Sequence, residues 1–170
     1  MKERPWGRPA RWRVAVLAVI CAVLGGCAGS GGGGGGGGTP KPACKPPAGG
    51  PTISFGSTIQ PIFNNSCALG GCHVGPVPAE NLDLTAGVSY KQIVGVASLE
   101  VPRLKRVKPG DPDQSYLVQK IEAQPGLTPM PLGCQGMMCG AAGQNGAKCL
   151  CPDEIAAIRQ WVTECAPNNP

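Results

Sequence analysis

The stretch NNSCALGGCHVG, at residues 64–75, combines the side chains of this chain that are best suited to binding chemistry. It holds Cys67, Cys72 and His73, and His73 is the only histidine in the sequence. Two thiols can form thioethers with the vinyl groups of a haem while an adjacent imidazole reaches the iron, so the three residues must be neighbours. The usual spacing is C-x-x-C-H, and here it is C-x4-C-H, with two glycines able to shape the longer loop. The motif predicts one covalent haem c.

Two other interpretations of this motif stay open. The two cysteines can close a small disulfide loop, in which case His73 is an exposed surface residue without a ligand. A zinc site fits less well, because one histidine and disulfide-forming conditions leave no closed set of four ligands.

A methionine between two prolines is the candidate for the second iron ligand. The sequence GLTPMPLG places Met130 in what should be an extended loop. A thioether is a natural sixth ligand opposite a histidine, and a second imidazole is missing because the chain has one histidine. The alternative is a methionine that fills an apolar gap in the core.

A short amphipathic helix is expected to position the first cysteine. In STIQPIFNNSC, Ser57 is the expected N-cap, and Ile59, Ile62 and Phe63 have the spacing of one helix face. Such a helix would end at Cys67 and so bring the motif to the core.

Two further helices should follow the motif. After a turn in PGDPDQ, YLVQKI predicts a helix with Tyr116, Leu117, Lys120 and Ile121 at helical spacing. The last helix begins in CPDE, where Pro152 suits the first turn and the acidic Asp153 and Glu154 favour the positive end of the helix dipole. Its inner face should comprise Ile155, Ile158, Trp161, Val162 and Cys165.

The N-terminal residues indicate export. Five basic side chains precede an apolar run from Val14 to Leu24, as in the charged and hydrophobic regions of a signal peptide. This run of 11 residues is about half of the roughly 20 that a membrane-spanning helix needs. It ends in LGGC, which resembles a bacterial lipobox and implies a lipoprotein signal peptide at residues 1–26 with lipidation of Cys27. Ordinary secretory cleavage that leaves Cys27 as a thiol is the alternative.

Composition sets the predicted domain boundaries. Residues 27–51, with their runs of glycine and proline, cannot bury a core and predict a flexible linker behind the lipidated cysteine. The folded domain is predicted at residues 52–167. Because Ala28 stands where an acidic residue would favour the inner membrane, the lipobox resemblance implies an outer-membrane anchor with the domain in the periplasm.

Charge argues against nucleic acid as a partner. The chain has 15 Lys and Arg and 10 Asp and Glu, but the predicted signal peptide removes five basic residues and one acidic residue. The remaining chain has a net charge of +1, whereas nucleic-acid-binding domains are usually strongly basic.

One short run, PRLKRVK at residues 102–108, still concentrates four positive charges. The default interpretation is a solvated segment with Leu104 and Val107 turned inward. The alternatives are a docking patch for an acidic redox partner or a counter-charge for haem propionates.

Six cysteines outside the motif are disulfide candidates, because export places them in an oxidising compartment. They are Cys44, Cys134, Cys139, Cys149, Cys151 and Cys165. Four lie in an insertion at residues 134–151, whose Gly-rich composition cannot build a core and which should be stiffened by disulfides. Six cysteines allow fifteen pairings, so the connectivity stays open. Met137 and Met138 leave a soft-metal site for copper(I) as an alternative.

Taken in order, these features resemble a single-haem cytochrome c domain. A short helix, a cysteine pair with an adjacent histidine, VKPGDPDQSYLVQKI, MP and an IRQWV helix are similar to planctomycete-type, class I-like cytochromes c of exported bacterial proteins. The resemblance covers roughly Ile59–Ala166, and the C-x4-C-H spacing and the insertion depart from the family's commonest pattern. It implies an all-α fold around one haem c, with Cys67 and Cys72 as thioether donors and His73 and Met130 as axial ligands.

On this interpretation the protein is a lipid-anchored electron carrier and not an enzyme. It would pass single electrons between redox partner proteins in the periplasm or membrane, since the sequence offers no obvious nucleophile or catalytic histidine pair. The alternative is a haem-free, disulfide-rich outer-membrane lipoprotein that serves as a structural or binding module.

Overall fold

The computed structural model describes residues 43–170. The predicted signal peptide, the lipidation site Cys27 and most of the predicted linker lie outside the described residues. The regular elements are α1 (Gln60–Ser66), α2 (Ser89–Ile93), α3 (Tyr116–Ile121) and α4 (Pro152–Thr163). A π-helical turn at Phe55–Ile59 leads directly into α1, and 3-10 turns lie at Ala79–Asn81, Pro112–Gln114 and Gln144–Gly146.

Turns and isolated bridges make up much of the domain between these short helices. Within residues 43–170 the β-structure is limited to bridges such as those of Val94 with Val107 and Lys105 with Ser115. The all-α cytochrome c fold accordingly stays a prediction. In the same part of the chain, no helix has both the length and the apolar character needed to cross a membrane.

The first helical segment begins earlier than predicted. Ser54, and not Ser57, caps it, because the Ser54 hydroxyl accepts a hydrogen bond from the Ser57 backbone N–H at 3.0 Å. Local sequence does not separate the two serines, since both precede the same apolar pattern. The apolar residues expected on one face, Ile59, Ile62 and Phe63, are buried as predicted.

The two helices predicted after the motif are confirmed as α3 and α4. At the start of α4 the Glu154 carboxylate accepts a hydrogen bond from the Cys151 backbone N–H at 2.9 Å, while Pro152 occupies the first turn. Helix α4 ends at Thr163, so Cys165 lies beyond it with φ of 74° and does not share its apolar face.

Helix α2 was not predicted from the sequence. It is five residues long and has no side-chain cap, so local signals are weak. Its Ser89 and Ile93 are buried, which indicates that tertiary packing stabilises it.

Aromatic side chains join the π-helical turn, α2 and α4 into one core. The Phe55 ring centroid lies 5.2 Å from that of Tyr90 and 5.3 Å from that of Trp161. The buried Trp161 indole donates its N–H to the Pro167 carbonyl at 2.9 Å, and the Tyr90 hydroxyl donates to the Ala166 carbonyl at 2.9 Å. The segment after α4 is thereby attached to the core, with the polar ends of both aromatic residues satisfied.

All six disulfide candidates are paired in the structure. The bonds are Cys44–Cys165, Cys134–Cys149 and Cys139–Cys151. The first joins residues 121 apart in the sequence, whereas the other two span 15 and 12 residues within the insertion. Because Cys44 lies in the predicted linker, the end of that segment is attached covalently to the domain.

A buried carboxylate strengthens this attachment. Glu164, which is 2% exposed, accepts hydrogen bonds from the backbone N–H groups of Thr52 and Ile53 at 2.9 and 3.0 Å and from the Gln160 amide at 2.9 Å. Burial raises the pKa of the Glu164 carboxyl, but these hydrogen bonds and one from the Thr52 hydroxyl together outweigh burial, and the pKa lies below its ordinary value. The ionised carboxylate therefore holds the chain after Cys44 against the end of α4.

Candidate functional site

A cavity of about 210 Å³ brings together the residues that the sequence singled out. Cys67, Cys72, His73 and Met130, which span more than sixty positions of the chain, all line it. The apolar part of its wall includes Leu82, Leu84, Ile93, Leu117 and Ile121. An apolar wall with a few polar groups is typical of a cofactor site.

Hydrogen bonds close the CALGGCH loop. The Cys67 carbonyl accepts a hydrogen bond from the His73 N–H at 3.2 Å, and the Leu69 carbonyl accepts one from the Cys72 N–H at 2.9 Å. Of the two glycines, Gly71 has φ of +77°, a left-handed conformation that glycine adopts readily, and the other does not use that region. The extra residues thus form a tight turn that leaves the first cysteine beside the histidine backbone.

Cys67 and Cys72 carry free thiols, whereas the other six cysteines of the described residues are paired. The structure does not contain the disulfide between them that the alternative interpretation required. Burial, with smaller contributions from the charges of Cys72 and Glu154, raises the pKa of the Cys67 thiol to about 12. Cys67 is therefore protonated at neutral pH, a form that reacts slowly with disulfides.

His73 is held as a neutral imidazole with one nitrogen available for a metal. Its Nδ1 lies 3.2 Å from the Ala79 carbonyl, and because a carbonyl only accepts, the proton must be on Nδ1. Burial lowers the pKa of His73, and the charges of Arg106 and Lys120 lower it further. The hydrogen bonds to Ala79 and Leu82 raise the pKa, but it still lies below its ordinary value. The Nε2 lone pair is the one left for coordination.

Met130 is brought to the same cavity by α3. Its backbone N–H donates to the Lys120 carbonyl at 3.0 Å, near the end of that helix. The Met130 side chain is half-buried on the cavity wall. The structure therefore gathers the four residues predicted as haem contacts, two thiols, one imidazole and one thioether.

Two buried cations also line the cavity. Lys120 is 6% exposed and pairs with Glu100, with 3.0 Å between Nζ and Oε2. Arg106 is 8% exposed and donates to the backbone carbonyls of Gln92 and Glu80 at 2.9 and 2.8 Å. These two hydrogen-bond partners are neutral, and the Glu80 carboxylate, which also lines the cavity, supplies an opposite charge to Arg106.

The run at residues 102–108 is not a continuous positive surface. Its two apolar residues are buried, as predicted, but Arg106 is buried with them. Lys108 pairs with Asp111 at 2.7 Å, and Arg103 and Lys105 are exposed. The docking alternative therefore loses part of its charge, while the counter-charge alternative has Arg106 in position to support it.

Two residues of the site were not predicted from the sequence. The Ser66 hydroxyl is buried on the cavity wall and is, within the described residues, a buried side-chain oxygen without a hydrogen-bond partner. The Asn145 amide donates to the Cys72 sulfur at 3.5 Å. Neither has a local signal, because a serine at a helix end is common and Asn145 is 73 positions from Cys72.

The soft-metal interpretation of the insertion loses its thiolates. Cys134 and Cys139, which flank Met137 and Met138, are both bonded in disulfides. Across residues 43–170, no group of three or more His, Cys, Asp or Glu side chains is arranged to hold a metal ion.

Comparison with protein-family models, with curated proteins and with solved structures finds no match to this chain. The chemistry of the site is therefore argued from its own residues.

Those residues fit a covalent haem. Two free thiols are present for the vinyl groups, and His73 and Met130 offer a nitrogen and a sulfur donor. The unpartnered Ser66 hydroxyl and the Arg106 charge are polar groups that a haem carboxylate could satisfy, in an otherwise mainly apolar cavity.

Proposed function

We propose that the domain is a single-haem c-type cytochrome that carries single electrons between redox partners of the cell envelope. The observation that supports it most strongly is the free pair Cys67 and Cys72. They are the two unpaired cysteines among the eight of the described residues, and they share a cavity with His73 and Met130. Where disulfides form readily, a thiol pair left out of an otherwise complete set indicates another covalent partner for the sulfurs.

Each of the four residues has a distinct role in this proposal. Cys67 and Cys72 would form the thioether bonds, His73 would bind the iron through Nε2, and Met130 would supply the second axial ligand. The haem would contribute a metal centre that gains and loses one electron.

The rest of the site orients these ligands. The Ala79 carbonyl fixes the ring tautomer of His73 through the 3.2 Å contact with Nδ1. The Lys120 carbonyl fixes the backbone at Met130 at 3.0 Å. Leucine and isoleucine side chains on the wall exclude water, which raises the importance of each nearby charge.

The location in the cell is part of the proposal. The LGGC motif supports lipidation of Cys27 and an outer-membrane anchor facing the periplasm. Redox proteins of the periplasm or membrane are the proposed partners, and no substrate chemistry is required of this chain.

A pyridine haemochrome spectrum tests the proposal. The full chain is produced in a bacterium that has the c-type maturation system and is then extracted with acidic acetone. We expect a c-type spectrum with haem that stays on the protein, and loss of that haem in Cys67→Ala/Cys72→Ala. A colourless protein, made beside a control cytochrome that matures normally, would refute it.

The role of Met130 needs a separate comparison. Met130→Ala should lower the reduction potential and change the visible spectrum, because the thioether ligand raises the potential. Met138→Ala is the matched control, since Met138 is 82% exposed and is not among the cavity residues. An unchanged potential in Met130→Ala would instead favour an open iron position and a peroxidase-like role.

The haem-free alternative is supported by the three disulfides alone. A structural or binding module would show only the small mass loss of disulfide formation, whereas covalent haem adds a fixed mass that survives denaturation. Mass spectrometry of the same sample therefore separates the two.

A further inference from the structure

We infer that the insertion, residues 134–151, is a disulfide-stapled cover over the Cys72 side of the cavity, and that Asn145 shields the Cys72 sulfur from reagents in solution. This inference rests on the proposed function only for the reason why the Cys72 thiol needs protection. The cover itself is a property of the protein without haem, so it can be tested separately.

The first support is where the insertion meets the motif. Gln144 and Ala147 form part of the cavity wall, and Ala147 is buried. Between them, the Asn145 amide nitrogen lies 3.5 Å from the Cys72 sulfur. The approach is close enough that a Cβ on Gly71 would lie 3.1 Å from the same nitrogen, so the glycine leaves room for Asn145.

The second support is that the insertion is fixed to both walls of the cavity. The Gln144 N–H donates to the Leu132 carbonyl at 2.8 Å, next to the Met130 loop. The Lys148 N–H donates to the Asn65 carbonyl at 3.0 Å, at the end of α1. These bonds place the turn at Gln144–Gly146 across the space between the methionine loop and the cysteine loop.

The third support is that two disulfides fix the shape of the insertion, together with backbone hydrogen bonds such as that from the Cys149 N–H to the Ala141 carbonyl at 2.8 Å. Ten of its eighteen residues are exposed, and Leu150 is its one branched aliphatic residue. Cys134–Cys149 and Cys139–Cys151 close it internally, and the buried Cys149 anchors it. Without the Cys134–Cys149 bond, the turn that carries Asn145 should open locally more often.

The purpose follows from the compartment. The described residues hold six paired cysteines and one thiol pair, which in the proposed function must stay free until the thioethers form, and exposed thiols exchange with disulfides. Both thiols are half-buried, and Cys72 is the one whose sulfur the cover contacts, through Asn145.

Alkylation of the haem-free protein measures the cover directly. The full chain is exported in a host without the c-type maturation system and treated with N-ethylmaleimide at one fixed pH. The rate at Cys72 is read by peptide mass spectrometry and divided by the rate in urea-unfolded protein. Two variants open the cover, Cys134→Ala/Cys149→Ala and Asn145→Gly.

Each variant has a matched control. Cys44→Ala/Cys165→Ala removes a disulfide outside the insertion, and its rate is read under conditions where circular dichroism shows it folded, because it should lose more global stability than the cover variant. Asn81→Gly, like Asn145→Gly, replaces an exposed asparagine with positive φ, where glycine introduces no backbone strain.

We expect the Cys72 rate to rise about tenfold in Cys134→Ala/Cys149→Ala and about threefold in Asn145→Gly, with both controls within a factor of about two of the wild type. Wild-type Cys72 that reacts as fast as in urea, or a Cys67–Cys72 disulfide in the wild-type protein, would overturn the inference. If Cys134→Ala/Cys149→Ala does not fold, Asn145→Gly decides alone, and an unchanged rate there also overturns it.

These outcomes are independent of the haem test. A protein that never takes up haem but shows the expected alkylation pattern would refute the proposed function and leave the cover intact. A c-type spectrum together with an unprotected Cys72 would do the reverse.

Discussion

Removing the Cys44–Cys165 disulfide should destabilise this domain more than removing either disulfide of the insertion. The bond joins residues 121 apart, against 15 for Cys134–Cys149 and 12 for Cys139–Cys151. In the chain-entropy model, closing loops of these lengths lowers the entropy of the unfolded state. This stabilises the fold by about 4.9, 3.0 and 2.8 kcal/mol at 25 °C. The predicted difference between the long and the short bonds is therefore about 2 kcal/mol.

Two features of the structure bear on this figure. The closed disulfides of the insertion shorten the path from Cys44 to Cys165, but the logarithm makes that correction only about 0.1 kcal/mol. In the folded state, the Glu164 hydrogen bonds to Thr52 and Ile53 keep the N-terminal segment in place without the disulfide. The loss should therefore act mainly through the unfolded state.

The assay is equilibrium urea unfolding of the full chain and of three double variants, Cys44→Ala/Cys165→Ala, Cys134→Ala/Cys149→Ala and Cys139→Ala/Cys151→Ala. We expect the first to lose the most free energy of unfolding, with a larger m-value because its unfolded state exposes more surface. A first variant that loses no more stability than the other two would refute the reasoning from loop length.

Three further predictions concern single side chains. The pKa of Glu164 is lower in the folded protein than its unfolded value of 4.5, so the ionised carboxylate stabilises the fold at pH values above 4.5. Lowering the pH through the folded-state pKa should therefore reduce the stability of the wild type. Thermal unfolding from pH 7 to pH 3 should therefore show a smaller loss in Glu164→Gln, and equal losses would contradict the role of the carboxylate. Ser66→Ala should raise the free energy of unfolding of the haem-free protein by about 1 kcal/mol in urea, because it removes a buried hydroxyl that has no hydrogen-bond partner. A destabilised variant would mean that the hydroxyl makes a hydrogen bond in the folded protein. Trp161→Ala should lower the free energy of unfolding by about 3–5 kcal/mol, since the indole is fully buried. Thr163→Ala, on the exposed side of α4, should change it by about 0.5 kcal/mol or less. Similar losses in the two variants would contradict the burial of Trp161 in the core.

Local patterns were sufficient for elements that depend on neighbouring residues. Pro152, the acidic first turn and the apolar spacing predicted α4, because a helix start and one buried face are short-range properties. The same holds for α3 and for the burial of Ile59 and Phe63. The Ser57 cap was wrong, because Ser54 caps the π-helical turn at Phe55–Ile59, whose Phe55 packs against Trp161 and Tyr90.

The candidate site divides in the same way. The adjacency of Cys72 and His73 can be seen in the sequence because thioether and iron chemistry require neighbours. The burial of Arg106 could not be predicted, because its partners Gln92 and Glu80 are 14 and 26 positions away. The basic run therefore looked like a surface feature until the fold placed one of its charges on the cavity wall.

What the sequence determined by itself was the set of residues proposed to bind a haem, the helices at α3 and α4, and the existence of six further cysteines for pairing. The tertiary structure alone decided which cysteines pair, that Met130 and His73 line one cavity, and that Asn145 reaches Cys72. The physical reason is distance along the chain. Helix signals and the cysteine–histidine motif depend on residues a few positions apart. Disulfide partners, cavity walls and the cover depend on contacts between distant residues, and the entropy lost in closing those long loops is offset only when the core folds.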